Sequence, residues 1–402
     1  MNPSVKKLGL SANKKIRTII GLMSGTSLDG LDIALCKIRG SGANTSVELR
    51  KFITKEYDEG QKSRLKMISS VENVELKELC YQHTWLASVH TGMINEALAE
   101  WNIKPEEVDC IASHGQTIYH LPERDQPEES EPLNSTLQIA DGDQIAVKTG
   151  IVTISDFRQK HIAHGGEGAP MAALVDRLLF GHETESRILL NIGGIANFTW
   201  LPAGKQSNEK SFTTDTGPGN TLIDNVVQNY FNQPYDRDGK IASSGNVHAA
   251  LLNLLSRDSW FDEKNSKSTG PEYFNLDWIE RLAKNAGIKL KNINPEDLVA
   301  TVTELSAKTI AQSIKANVSK PEDCQIYTSG GGAHNPVLIK RLKEILVQTN
   351  LHDFSKLGFD PDAKEAIIFA VLANEMLAGD GFEFESNGEK KRVNFGKISF
   401  PF

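Results

Sequence analysis

Residues 21–32 read Gly21-Leu-Met-Ser-Gly-Thr-Ser-Leu-Asp-Gly-Leu-Asp32. An apolar run, Arg17-Thr-Ile-Ile20, leads into them, and a second β-rich run, Leu31-Asp-Ile-Ala-Leu-Cys-Lys-Ile38, follows. The order strand, glycine turn, strand reads as a buried hairpin that opens onto a loop. Glycines set among Ser and Thr let backbone N–H groups and hydroxyls converge on phosphate oxygens. Asp29 and Asp32 are then placed to meet a Mg2+ or a sugar hydroxyl. The plainer alternative is a hairpin turn in which Gly30 supplies a positive φ. No G-x-x-x-x-G-K-[ST] and no G-x-G-x-x-G occurs, so P-loop and dinucleotide-binding readings lose their main support.

Three more glycine clusters follow short apolar runs. Val108–Ala112 leads into Ser113-His-Gly-Gln-Thr117, Ile188–Leu190 into Asn191-Ile-Gly-Gly194, and Gln325–Tyr327 into Thr328-Ser-Gly-Gly-Gly332. Each reads as a strand ending in a loop, where α/β proteins hold their ligands. The strand–turn–strand pattern of 17–37 recurs at 188–201. In each half an amphipathic helix then precedes the next strand. The first carries Leu76, Leu79, Leu86, Val89, Met93 and Ala97, and the second Leu298, Val302, Leu305, Ile310 and Ile314. This repeated order predicts an α/β protein of two duplicated domains facing each other across a cleft. The boundary is expected near Lys148-Thr-Gly150, with 1–149 and about 380–402 in one domain and 150–379 in the other.

The 402 residues are 39% apolar and 24% charged, with 44 Lys+Arg against 52 Asp+Glu, a net charge of −8. That balance argues against a surface dedicated to nucleic acid or anionic membrane. No apolar run approaches the roughly 20 residues that span a bilayer. Cys36, Cys80, Cys110 and Cys324 form no CxxC pair, so a disulfide scaffold or zinc ribbon is not indicated and a reducing cytoplasm fits. The segments 122–132 and 204–210 read as solvated loops.

Several other groups can carry chemistry. Asp215-Thr-Gly-Pro-Gly-Asn220 offers one carboxylate before a glycine turn, suited to a general base; its amides are a candidate phosphate site, and an Asx-turn capping the next helix is the plainer reading. An aspartic protease needs a second such triplet, which the sequence lacks. Arg158 and Lys160 can hold a substrate carboxylate, whereas His161 and His164 read as structural rather than metal ligands. His114 and Gln116 stand at a strand end. Ser329–Asn335 ends a strand and begins a helix, an arrangement that packs against an adenine or cradles phosphate. Lys267-Ser-Thr-Gly-Pro-Glu272 adds further polar groups. Glu365 opens a helix over 364–378, either as a first-turn residue favoured by the dipole or as a substrate ligand.

Together these segments resemble the anhydro-N-acetylmuramic acid kinase family, a branch of the actin/hexokinase/acetate-kinase fold. The resemblance rests on 21–32, Ser113–Thr117, Asp156–Arg158, Gly165–Pro170, Asn191–Asn197, Asp215–Asn220, Lys267–Glu272 and Gly330–Asn335, in family order along nearly the whole chain. It implies two actin-like (ribonuclease H-like) domains and a kinase that uses ATP and Mg2+. Such a kinase opens the 1,6-anhydro ring of anhydro-N-acetylmuramic acid and phosphorylates O6, a step in peptidoglycan recycling. By motif, Gly25, Thr26, Ser27, Leu28, Asp29, Gly30, Leu31 and Asp32 line ATP, with Gly193, Gly194, Gly217, Gly219, Asn220, Gly330, Gly331 and Gly332. Asp215 is the general base that takes a proton from the attacking water, and Mg2+ arrives with ATP. Arg158, Lys160, His114, Gln116 and Glu365 bind the sugar, the first two at its lactyl carboxylate. The resemblance also implies a homodimer. Relatives read Asp-Phe-Arg-Arg-Arg-Asp where this chain has Asp-Phe-Arg-Gln-Lys-His, which keeps two alternatives open: a kinase for another sugar, and a non-enzymatic actin-like ATP-binding module.

Overall fold

This computed structural model describes residues 2–123, 126, 131, 133–168, 171–204, 211–262, 269–270, 272–386 and 389–402. They form two compact units, 1–179 with 362–402 and 180–361.

The first unit is built on β1 (Ile16–Ser24), β2 (Gly30–Arg39), β3 (Ser46–Glu56), β4 (Cys110–Leu121), β5 (Ser135–Ile139) and β6 (Thr153–Ser155). The second holds β7 (Ser186–Ile192), β8 (Ile195–Leu201), β9 (Phe212–Pro218), β10 (Cys324–Ser329) and β11 (Asn350–Asp353). The chain then returns to the first unit with the hairpin of β12 (Phe382–Ser386) and β13 (Glu389–Val393), and with β14 (Lys397–Ser399). In the first sheet β1 and β2, and β2 and β3, are antiparallel, while β1, β4 and β6 are parallel neighbours. In the second, β7 and β8, and β8 and β9, are antiparallel, while β7, β10 and β11 are parallel neighbours. The five strands in each sheet therefore share one order and the same directions, β3-β2-β1-β4-β6 in the first and β9-β8-β7-β10-β11 in the second. β14 adds an antiparallel edge to β6, and β5 pairs with β4.

β1 is buried on both faces, and its alternation shows what covers each. Ile20 and Leu22 pack with Leu86 and Ile94 of the Leu76–Trp101 helix. Gly21, on the opposite face, meets the Lys364–Ala378 helix so closely that an added Cβ would lie 1.9 Å from the Ala366 carbonyl oxygen. The far end of that helix is tied down by the buried Arg17, whose Nε donates to Asn374 Oδ1 at 2.6 Å and whose Nη2 donates to the Gly40 carbonyl at 2.7 Å. In the second unit the Pro295–Asn317 helix begins with Pro at its first position and Glu296 and Asp297 in its first turn, residues that favour a helix start. Its Ala307, Ile310, Ala311 and Ile314 pack on Ile188, Leu190 and Phe198 of the sheet.

Both amphipathic helices and the helix at 364–378 form where the sequence puts them, although Leu76 is exposed. The unit boundaries fall at 179/180 and 361/362 rather than near 150 and 380. β6 lies in the first sheet beside β4, and the Lys364–Ala378 helix packs on that sheet, so 150–179 and 362–379 belong there. β4 also runs on through Ser113–Thr117, which reads from sequence as a turn. Gly115 makes this passage at φ 74°, with β5 so near that a Cβ would stand 2.3 Å from the Ile139 carbonyl oxygen.

Gly21 thus serves helix packing. Gly21→Ala is expected to destabilise the protein by about 3 kcal/mol, at the upper end of the cost of overpacking a core. Urea denaturation followed by circular dichroism measures it.

Candidate active site

In the first unit, the turn between β1 and β2 is confined to Gly25–Asp29. Leu28 N donates to the Gly25 carbonyl at 3.2 Å, and Tyr57 N donates to the Asp29 carbonyl at 3.0 Å. Thr26, Ser27 and Asp29 are exposed, whereas Leu28 turns inward and is buried. The positive φ lies at Leu28 (58°), not at Gly30. Gly30 is needed for another reason: a Cβ there would stand 2.3 Å from the Lys55 carbonyl oxygen of β3. A left-handed leucine costs of order 1–3 kcal/mol, and such strain concentrates at functional turns. Asp32, on β2, accepts from the Thr54 hydroxyl at 2.6 Å. Burial raises its carboxyl above the usual range; Thr54 opposes this, and the charges of Asp362 and Asp29 add to it.

The parallel ladder between β1 and β4 sets Ser24 against Gln116, with a break in register just before it. Ser24 Oγ donates to Gln116 Oε1 at 2.6 Å, and Gln116 Nε2 donates to the Gly25 carbonyl at 3.1 Å. His114, two residues earlier, is buried against Phe369, with ring centroids 4.8 Å apart. Its Nε2 accepts from Arg158 Nε at 3.2 Å and lies 3.0 Å from Arg158 Nη2, while Arg158 Nη1 donates to the Gly168 carbonyl at 2.8 Å. A guanidinium has only donors, so this contact holds His114 neutral, with its proton on Nδ1. Burial first, then the Arg158 charge, lowers its pKa to about 3. Burial lowers that of Arg158 to about 10, and Glu365 opposes the shift. Glu365 stands one helical turn before Phe369 on the same face of its helix, and its charge is felt at Arg158. Its carboxyl keeps solvent contact, yet surrounding protein raises its pKa against the pull of Lys364.

The structure thus brings His114, Gln116, Arg158 and Glu365 into one neighbourhood. Lys160 is not seen to join Arg158. The two flank the start of the short Gln159–Ala163 helix, where residues two apart face different ways, and the Lys160 carbonyl meets His164 Nδ1 at 2.8 Å. His161 Nδ1 accepts from Gly168 N at 3.1 Å, a structural contact.

In the second unit Asp215 lies within β9, opposite Asn197 and beside a break in the β8–β9 register. It is half-buried, and its Oδ2 accepts from Thr269 N at 2.9 Å. The polar segment 267–272 therefore reaches Asp215 through Thr269; Lys267, Ser268 and Pro271 lie outside the described residues. The amides of Gly219, Asn220 and Thr221 donate to the Gly194, Gly193 and Gly194 carbonyls at 2.8, 2.8 and 3.0 Å. Those amides are thus engaged by the neighbouring turn, against the expectation that the Gly-Asn step offers them to phosphate. Asn220 does not cap its helix either; its Nδ2 donates to the Ile192 carbonyl at 3.2 Å. The helix after the Gly330–Gly332 turn is capped by Asn335, whose Oδ1 accepts from Val337 N and Leu338 N. Gly330 (φ 80°) and Gly332 lie so close to Ile192 that neither position admits a Cβ.

Beside Asn220 and Gly331 lies a cavity of about 580 Å3, walled by Tyr235, Arg237 and His334 and floored by Ile223 and Asp224. Burial, with the Asp236 charge, raises Asp224 to about 6. Sequence reading passed over Asp224. Its only signal is its place in the first turn of the helix that follows Asp215–Asn220.

The first unit thus carries a strained, hydroxyl-bearing turn and a half-buried guanidinium, and the second, also an α/β unit, a strand carboxylate anchored by a backbone amide. The model of the anhydro-N-acetylmuramic acid kinase family matches residues 17–400. A protein of that name from Pseudoalteromonas atlantica is 47% identical over 405 residues, covering 100% of both chains. Another, from Caldanaerobacter subterraneus, is 37% identical over 391 residues, covering 96% of this chain and 98% of its own. The chain belongs to the anhydro-N-acetylmuramic acid kinase family and is a kinase. No helix among the described residues is long and apolar enough to cross a membrane.

His114 has a consequence for acid stability. The unfolded histidine takes a proton near pH 6.5, whereas the folded one refuses it until about pH 3, so stability is lost as pH falls through that window. His114→Gln is expected to reduce this slope by up to about 1.4 kcal/mol per pH unit. Urea melts at pH 7, 6, 5 and 4 measure the difference.

Proposed function

We infer that the protein binds ATP and 1,6-anhydro-N-acetylmuramic acid and releases N-acetylmuramic acid 6-phosphate and ADP. Membership of the family supports the reaction; the observation that carries the mechanism is Asp215, held at a strand by the Thr269 amide. Asp215 takes a proton from water as the water's oxygen bonds to the anomeric carbon. The bond from that carbon to O6 breaks, and the freed O6 attacks the γ-phosphate. A reaction of this kind needs positioning and electrostatics rather than a covalent nucleophile. Arg158, fixed by His114 and Gly168, supplies the cation for the lactyl carboxylate, and Glu365 accepts from a sugar hydroxyl. The 25–32 turn takes the phosphates. The cavity beside Gly331 takes the nucleoside, against the bare backbone of Gly330–Gly332.

Asp29 and Asp32 suit Mg2+. It is a hard cation, commonly held by one or two carboxylates together with substrate phosphates. Burial is what chiefly raises the Asp32 carboxyl, and the charges of Asp362 and Asp29 add to it, a setting in which a cation would be favoured. When bound, the ion would neutralise charge on the phosphates. The common strand order of the two sheets supports an origin by duplication and an actin-like fold for each unit. An interdomain cleft, a cytoplasmic setting, a place in peptidoglycan recycling and a homodimer complete the proposal.

Incubation with the anhydro sugar and Mg-ATP in 18O-water is expected to give the 6-phosphate with label at C1. Asp215→Asn is expected to lower the rate roughly 10²–10⁴-fold. An unchanged rate in that variant would remove Asp215 from its role.

A further inference from the structure

The first unit contains a buried hydrogen-bonded chain that ends on the 25–32 turn. His90, on the Leu76–Trp101 helix, has its Nε2 2.6 Å from the Tyr57 hydroxyl. That hydroxyl is 2.9 Å from Ser24 Oγ, which donates to Gln116 Oε1, and Gln116 Nε2 donates to the Gly25 carbonyl. All four side chains are 2% exposed or less.

The proton positions in this chain follow from its far end. The Gln116 nitrogen faces two carbonyls, of Gly25 and Thr117, so its oxygen must be the atom facing Ser24. Ser24 then gives its proton to Gln116 and accepts from Tyr57; Tyr57 gives its proton to Ser24 and accepts from His90. His90 is therefore the neutral tautomer protonated on Nε2. Its Nδ1 is left as a bare lone pair, wholly buried and with no partner among the described residues. A leucine in this place would remove the bare lone pair but leave the Tyr57 hydroxyl without its donor, so the other nitrogen's donation to Tyr57 is what accounts for a histidine here.

The chain acts on one peptide unit. Nothing crowds Gly25, and its φ is not in the left-handed region, so the backbone there has freedom to rotate. Gln116 and Leu28 N both donate to its carbonyl and hold it inward. In a trans peptide the N–H of the next residue points opposite to the carbonyl. The Thr26 N–H is consequently held outward, on the exposed side of the turn. Tyr57 secures the other end as well, through its own N–H to the Asp29 carbonyl.

We propose that His90 and Tyr57 are positioning residues that lock the Gly25–Thr26 peptide and so present the Thr26 N–H to a phosphate oxygen of the nucleotide. The proposal rests on the assignment of this turn to ATP. It gives a role to two buried groups that the transfer chemistry does not use.

The test compares Tyr57→Phe, His90→Leu, His90→Gln and the double variant Tyr57→Phe/His90→Leu, which removes both buried polar groups together while Ser24 still donates to Gln116, and so guards against misfolding. Amide hydrogen exchange of a peptide covering 23–31, without ligand, reads the lock. Initial rates against Mg-ATP and against the sugar read its use. Tyr57→Phe, His90→Leu and the double variant are expected to speed exchange in this peptide alone and to raise KM for ATP about tenfold, the scale of one lost oriented hydrogen bond. KM for the sugar stays as in the parent. His90→Gln, which keeps a donor, restores both readouts. If the folded double variant exchanges and binds ATP as the parent does, the lock is refuted. If KM for both substrates rises alike, the role is merely structural. Faster exchange with an unchanged KM for ATP would keep the lock and overturn the assignment of the turn to ATP.

Discussion

The parallel ladder between β1 and β4 is the constraint on which the first unit depends. It sets the end of one strand beside the middle of another, so Ser24 and Gln116 meet although 92 positions separate them in sequence. The candidate site residues around that pair are placed relative to it. The Gly25 turn hangs from Ser24, and His114 stands two residues before Gln116. Arg158 reaches His114 from the segment after β6, itself a parallel neighbour of β4. Because β1 is covered on both faces, the ladder cannot shift without repacking two helices. The site inherits the rigidity of a core rather than that of a loop.

Electrostatics in the first unit follow from the same burial. Arg158 keeps His114 neutral, and His114 with the Gly168 carbonyl in turn fixes the guanidinium, on which the Glu365 charge also acts. One end of the arrangement is a fixed cation, and the other a carboxylate. In the second unit the logic is backbone-based. Two glycine turns lace together through main-chain bonds, and Gly219 approaches the Gly193 carbonyl where no side chain fits. This lacing closes off the end of β9, the strand that carries Asp215.

Much of this was legible in the sequence because glycine clusters after apolar runs have few meanings. The hairpin at 17–37, its counterpart at 188–201 and both long amphipathic helices all stand where pattern puts them. Other features were hidden for physical reasons. Gly21, Gly30 and Gly219 read as phosphate or turn glycines, yet each is needed where another backbone passes close, which periodicity does not report. The left-handed residue of the turn is a leucine, stabilised by burying its side chain. His90 and Tyr57 show no spacing relation to Ser24, since helix, strand and turn meet only in the folded unit. The unit boundaries fall at 179/180 and 361/362 because β6 pairs with β4, and because the helix that covers β1 begins 348 residues after it (364 against 16).

That return of the chain orders events during synthesis. Residues 180–361 form a unit continuous in sequence, whereas the first unit lacks the Lys364–Ala378 helix and β14 until all of 180–361 has been made. Domains generally fold as they emerge, N-terminal first. Here the order is reversed for completion: the nascent β1–β4 sheet must wait, with the Gly21 face and the Arg17 guanidinium uncovered, while the later unit closes. Residues 362–402 thus act as a latch on the first unit, and a product cut short before them would carry an exposed apolar sheet face that quality-control proteases and chaperones recognise.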